Sequence, residues 1–245
     1  MDRNLKIIPK GVSFVEAAAL GCRYTTAYRA ILQQGKLCED GGSNDKTVAI
    51  FGCGGLGLSC LAIASAFGAK RIIAVDVSKN ALDKAKELGA SSTILSNISY
   101  QEQQSSPVYE SIMKLTDGIG ADLTVDAGGF KQTCSDAVYC CRRGGIMVQV
   151  GLPANPPALP MARIAGREIT VVGSHGFSAA EDGEGFSALD HILHLVETGK
   201  LQPKQLIEKE VSLEEGVREL MNMNKSSPTG MVMITDFTSS LNSKL

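Results

Sequence analysis

The stretch Val48–Asp76, VAIFGCGGLGLSCLAIASAFGAKRIIAVD, decides how this chain is read. A short apolar β run leads into three glycines, Gly52, Gly54 and Gly57, in G-x-G-x-x-G register. An apolar segment of helical length follows, Leu56 to Phe67, and then a second β run, Arg71–Asp76. The motif alone is weak; a strand before it, a helix after it and an acid at the tip of the next strand give it weight. Gly52 permits the tight turn, and Gly54 lets the backbone approach a pyrophosphate. Gly57, lacking a β-carbon, lets the helix pack close to the strand. The helix N-terminus then turns its N–H groups and the positive end of its dipole toward the phosphates. Gly55, in the same turn, joins the candidate cofactor-binding set. Asp76 lies about 20 residues beyond the glycines, where a carboxylate accepts hydrogen bonds from the adenosine ribose and repels a 2′-phosphate. NAD is therefore expected over NADP, with a plain strand-end cap as the other reading of Asp76. Cys53 in the turn reads as a space-filler.

Outward from this stretch the alternation continues. Strands are expected at Thr47–Gly52, Arg71–Asp76, around Ile94, in ADLTVDAGG (Ala121–Gly129), in GIMVQVG (Gly145–Gly151) and in EITVVGS (Glu168–Ser174). Helices are expected at Leu56–Phe67, after the N-cap Ser78, at Val108–Leu115 and at Gln132–Cys141. The Ser78 helix carries Leu82, Ala85 and Leu88 on one face and stops at Gly89. Unbroken apolar strands alternating with helices imply an α/β fold, a doubly wound parallel sheet of six strands covered on both faces. This dinucleotide-binding domain is expected to span residues 46–200. Residues 1–45, with a capping box at Ser13 and Glu16, and residues 201–237, with a second at Ser212 and Glu215 before the strand TGMVMI, are expected to be parts of a second domain. Residues 238–245 read as a solvated tail.

Hydrophobic residues make up 44 % of the 245-residue chain and charged residues 20 %, a balance that excludes a disordered protein. A net charge of −2 gives no basic footprint for nucleic acid. No apolar run reaches membrane-spanning length, and MDRNLKIIPKG is no secretory leader, so a cytoplasmic protein without nucleic-acid or membrane partners is expected. The seven cysteines are odd in number and lack C-x-x-C spacing, which implies free thiols and no four-cysteine zinc lobe.

EAAALGCRYTTAYRAI, FGCGGLGLSCLAIASAFGA and RRGGIMVQVGLP, followed by ITVVGSHGF and SPTGMVMI, resemble in order the zinc-type alcohol dehydrogenases of the medium-chain dehydrogenase/reductase family. The resemblance implies an oxidoreductase that moves hydride between NAD and a small alcohol, aldehyde or ketone. It places Cys22 at a ligand position of the catalytic zinc; taken alone, that cysteine would read as a small buried residue. Thr26 falls at the threonine beside the nicotinamide, Leu56 at the aliphatic residue packed on that ring, and Val150, Gly151 and Leu152 at the loop that holds the carboxamide. Ala127 completes the cofactor-binding set. A homodimer paired through the sixth strand is implied as well, with LPANPPALPMA reaching across as a loop.

The other zinc ligands of that family, its structural zinc lobe and its proton relay lie upstream of the matching region. Zinc is therefore expected only if those ligands are supplied. Met231 stands at or beside the place of a basic residue that pairs with the pyrophosphate. His191 and His194 are expected on the polar side of a helix, with a metal pinch alongside Asp190 as the lesser reading, and His175 near the nicotinamide end or in a loop hydrogen bond. Two rival readings stay open: an NAD-binding fragment without catalysis, and a zinc-free quinone-type reductase.

Overall fold

The computed structural model describes residues 6–38, 45–96, 106–176, 184–223 and 230–237, with side chains from 188 onward in the fourth of these segments. The expected tail at 238–245 lies outside the described residues. The chain opens with two short helices, α1 (Phe14–Ala19) and α2 (Cys22–Tyr28), the second continuing as a π-helical segment over Arg29–Gln34. Then the alternation begins. The strands β1 (Thr47–Phe51), β2 (Arg71–Asp76), β3 (Ser92–Leu95), β4 (Ala121–Asp126), β5 (Cys141–Gln149) and β6 (Thr170–Gly173) are joined by α3 (Gly55–Ala66), α4 (Lys79–Glu87), α5 (Pro107–Leu115), α6 (Lys131–Cys140) and α7 (Met161–Arg167). They form one parallel sheet in the order β3-β2-β1-β4-β5-β6, the α/β architecture expected. The order reverses between β1 and β4, so their C-terminal ends open a crevice, the usual ligand site of such sheets.

The pleat divides β1 between two cores. Val48 and Ile50 face one with Leu58, Leu61, Tyr24 and Ile192, while Ala49 and Phe51 face the other with Ile112, Val138 and Met147. Burial on both faces explains why the strands read as unbroken apolar runs. Each fully buried Leu, Ile or Phe contributes about 1.5–3 kcal/mol. The first core also takes in α2 and α8 (Glu184–Glu197), so these two helices close over the face that carries α3. A separate two-stranded parallel sheet, β7 (Ile207–Ser212) and β8 (Met231–Asp236), carries α9 (Leu213–Asn222).

The local signals act where they were read. Ser13 with Glu16 and Ser212 with Glu215 form reciprocal capping boxes, Ser78 caps α4, and Gly89 ends it at φ +107°. Three elements differ from expectation. Helix α7 occupies the end of the stretch read as a loop; it starts behind Pro160, and none of its residues is buried, so no apolar stripe marks it. β7 escaped notice because Glu208, Lys209 and Glu210 are exposed. β5 starts at Cys141, straight from the end of α6, with a register irregularity between Ala121 and Leu123. Among the described residues no helix is long and apolar enough to cross a membrane.

Candidate functional site

The crevice is built on a glycine turn. Gly52 sits at φ +89°, where a side chain is strained, and a β-carbon there would lie 2.8 Å from the Gly128 amide. The tips of β1 and β4 are tied at this point: Ala127 and Gly128 donate to the Phe51 carbonyl at 2.9 and 3.0 Å. A β-carbon on Gly57 would overlap the Gly52 carbonyl oxygen, so α3 rests directly on the turn. Gly54, the N-cap of α3, has no side-chain cap and open space where a side chain would be. Amides at the start of α3 are thus left for a ligand.

Asp76 lies beside the turn. Its Oδ2 accepts from the Cys53 amide at 2.6 Å and its Oδ1 from the Ser78 amide at 2.7 Å. The strand-end cap is therefore real, and it uses one bond on each oxygen of a half-exposed carboxylate that can accept further bonds. Cys53 is fully buried, and burial beside the Asp76 charge pushes its thiol far above the usual range. That is the environment of an inert space-filler.

A buried carboxylate fastens the opposite wall. Asp126, wholly inaccessible, accepts from the Gly128 and Gly129 amides at 3.0 Å each and from the Gln149 amide nitrogen at 2.8 Å. The Cys134 thiol donates to it at 2.9 Å; burial and that bond push the thiol up to about 12. Gln149 also donates to the Gly151 carbonyl at 2.7 Å, while the Val150 and Gly151 amides donate to the Asp126 carbonyl. Ala127 and the Val150–Leu152 loop are thereby locked to each other. Val150 is buried and Leu152 is 82 % exposed. Sequence reasoning missed Asp126 and Gln149; the signal was an acid and an amide at the C-terminal tips of β4 and β5.

The third wall is α2, packed on α3. Thr26, buried, donates to the Cys22 carbonyl at 2.6 Å, and its hydroxyl is 4.0 Å from the Cys22 sulfur. A β-carbon on Gly176 would overlap that hydroxyl, so the position has no room for a side chain. The Ser174 amide donates to the Gln149 carbonyl at 2.9 Å, which carries this post-β6 loop alongside Val150. His175 sits in that loop with Nδ1 3.0 Å from the Gly176 carbonyl oxygen. Leu56 is half-buried in the first turn of α3. Arg23, next to Cys22, was not singled out in the sequence; its guanidinium lies against Gly55.

The residues present fit a dinucleotide and do not by themselves fit zinc. A catalytic zinc needs three protein ligands and an open position. Among the described residues no group of three His, Cys, Asp or Glu could hold a metal ion, and Cys22, an exposed free thiol, stands alone. His191 and His194 are exposed as expected, but His191 is not merely solvated: its Nδ1 lies 2.7 Å from the Tyr28 hydroxyl. Asp190 pairs with Lys6 at 2.6 Å.

Residues 55–192 match the family described as zinc-binding dehydrogenase. Sorbitol dehydrogenase 1 of Saccharomyces cerevisiae is 31 % identical over 211 residues, covering 86 % of this chain and 55 % of that protein. D-xylulose reductase A of Aspergillus oryzae is 31 % identical over 209 residues, 85 % of this chain and 53 % of that one. Among solved structures, the alcohol dehydrogenase TADH from Thermus sp. ATN1 matches with a TM-score of 0.76 at 27 % identity, covering 94 % of this chain and 61 % of that chain. This chain belongs to the zinc-binding dehydrogenases, the zinc-type alcohol dehydrogenase branch of the medium-chain dehydrogenases/reductases. It spans about half the length of the curated relatives it matches.

Proposed function

We propose that the chain binds NAD across the β1/β4 crevice and serves hydride transfer between a small alcohol and its aldehyde or ketone. One observation carries this reading: the positive-φ turn at Gly52 sets the open face of Gly54 beside the Asp76 carboxylate. In it, the Gly54–Leu56 backbone takes the pyrophosphate and Asp76 takes the adenosine ribose. Leu56 and the Val150–Leu152 loop flank the nicotinamide end, with Thr26 beside them. Ala127, whose amide donates to the Phe51 carbonyl, borders that groove. Bound NAD supplies the hydride acceptor; the chain's part is to bind, orient and shield it.

The relatives' names, sorbitol dehydrogenase and D-xylulose reductase, make polyols and ketoses the first substrates to try. Residues 46–200 form the nucleotide domain in this reading, and residues 1–45 and 201–237 belong to a second domain. The protein pairs as a homodimer through β6. A second reading, an NAD-binding module without catalysis, rests on Cys22: among the described residues no group of three ligands forms, and a lone thiolate leaves zinc short of its ligand set.

The test pairs metal analysis of the purified 245-residue chain with NAD reduction over a panel of polyols and primary and secondary alcohols. The expected outcome is less than one zinc per chain and turnover far below the ~1–1000 per second usual for enzymes. Stoichiometric zinc with turnover in that range would mean that Cys22 is completed by ligands outside the described residues.

A further inference from the structure

We infer that Arg23 is a direct ligand of the dinucleotide's pyrophosphate; this rests on the NAD reading above and assigns it a residue. Arg23 lies on α2, outside the β1–α3 fingerprint, yet its guanidinium reaches the first residue of α3. A β-carbon built on Gly55 would lie 2.6 Å from Arg23 Cζ and 3.0 Å from Nε. A glycine at this position is what lets the guanidinium come so close to the helix end.

A cation there is out of place unless an anion joins it. The N-terminus of a helix carries the positive end of the macrodipole, and a second positive charge beside it is repelled. α3 is a 12-residue helix whose N-cap, Gly54, offers no side-chain oxygen to its first amides. Arg23 makes one long hydrogen bond, from Nη1 to the Gly230 carbonyl at 3.4 Å, and no ion pair among the described residues. Met231, next to Gly230, is apolar and buried, so it neutralises nothing. Among the described residues the guanidinium is thus held at the helix end by packing and one weak bond, with most of its five donors given no partner there. Beside it, Gly54 has nothing within 4 Å of where a side chain would be. An anion with two phosphates over Gly54 would take helix amides on one side and the planar guanidinium fork on the other. The contact is to phosphate alone, so it raises affinity for NAD without touching the choice between NAD and NADP, which lies with Asp76.

The alternative role is a strap that ties α2 to the start of β8, and it makes a different prediction. The experiment measures dissociation constants of the full chain and of Arg23→Ala, Arg23→Gln and Arg23→Lys for NADH, ADP and adenosine at several salt concentrations. Arg23→Gln keeps most of the side-chain volume and a hydrogen-bond donor, so it tests the charge even if Arg23→Ala folds poorly. A phosphate ligand predicts that Arg23→Gln weakens NADH and ADP about 10- to 100-fold while adenosine is unchanged, with partial rescue in Arg23→Lys. It also predicts a shallower salt dependence for ADP in Arg23→Gln than in the wild type. ADP binding within twofold of wild type in Arg23→Gln, or an equal loss for adenosine, would overturn the assignment and leave the NAD reading standing. Failure of the wild type to bind NADH at all would overturn both.

Discussion

One β-carbon decides whether α3 can rest on the turn. Gly57→Ala would drive a methyl group into the Gly52 carbonyl, a backbone atom that cannot rotate away. The helix must shift, and overpacking of this kind costs about 1–3 kcal/mol, or roughly 2–10 °C in thermal midpoint for a chain of this size. Gly54→Ala meets open space at φ −71° and costs about 1 kcal/mol or less, yet it fills the approach to the pyrophosphate and should weaken NADH binding more than tenfold. Calorimetric midpoints and NADH titrations on the two variants check both claims; equal midpoints for them would contradict the packing role of Gly57. Residues of this kind were legible in the sequence because turn chemistry restricts them locally. Arg23, Asp126 and Gln149 were not, because their positions follow from how α2 lies on α3 and how β4 and β5 end side by side. Nothing in the local sequence of a lone arginine says which helix end it will reach.

At the scale of elements, legibility followed burial. β1, β2 and β4 are buried nearly throughout and were read within one to three residues. α7 and β7 are largely exposed, and an exposed element carries no periodic apolar signal. The sixth strand also poses a physical problem. β6 ends the sheet with Thr170, Val171 and Gly173 exposed, and it offers unpaired backbone groups to any other strand. Open edges of this kind aggregate unless they are covered or paired. Pairing of two β6 strands about a twofold axis would join two sheets into one. Light scattering at micromolar concentration should therefore give a dimer, and Val171→Pro, which removes a backbone donor and bends the edge, should give monomers that still bind NADH. A wild-type monomer would contradict the pairing.

Over the whole molecule, the described segments before β1 and after α8 are tied to the six-stranded sheet. Val12, Leu20, Leu201, Leu206 and Met231 share one core with Val48 and Ile50. That arrangement brings Cys22 and Thr26 to the crevice, and it is why a fingerprint read from one short stretch extends to a site with three walls. In the proposed function this crevice takes NAD and selects it through Asp76. The most direct measurement is a pair of titrations, NADH and NADPH, on the wild type and on Asp76→Ser. Removing a carboxylate that accepts from the ribose costs on the order of 1–3 kcal/mol, about 5- to 150-fold in dissociation constant. Saturable NADH binding at least tenfold tighter than NADPH is expected in the wild type, with the gap closing in Asp76→Ser. Equal affinities in the wild type, or no binding of either, would contradict it.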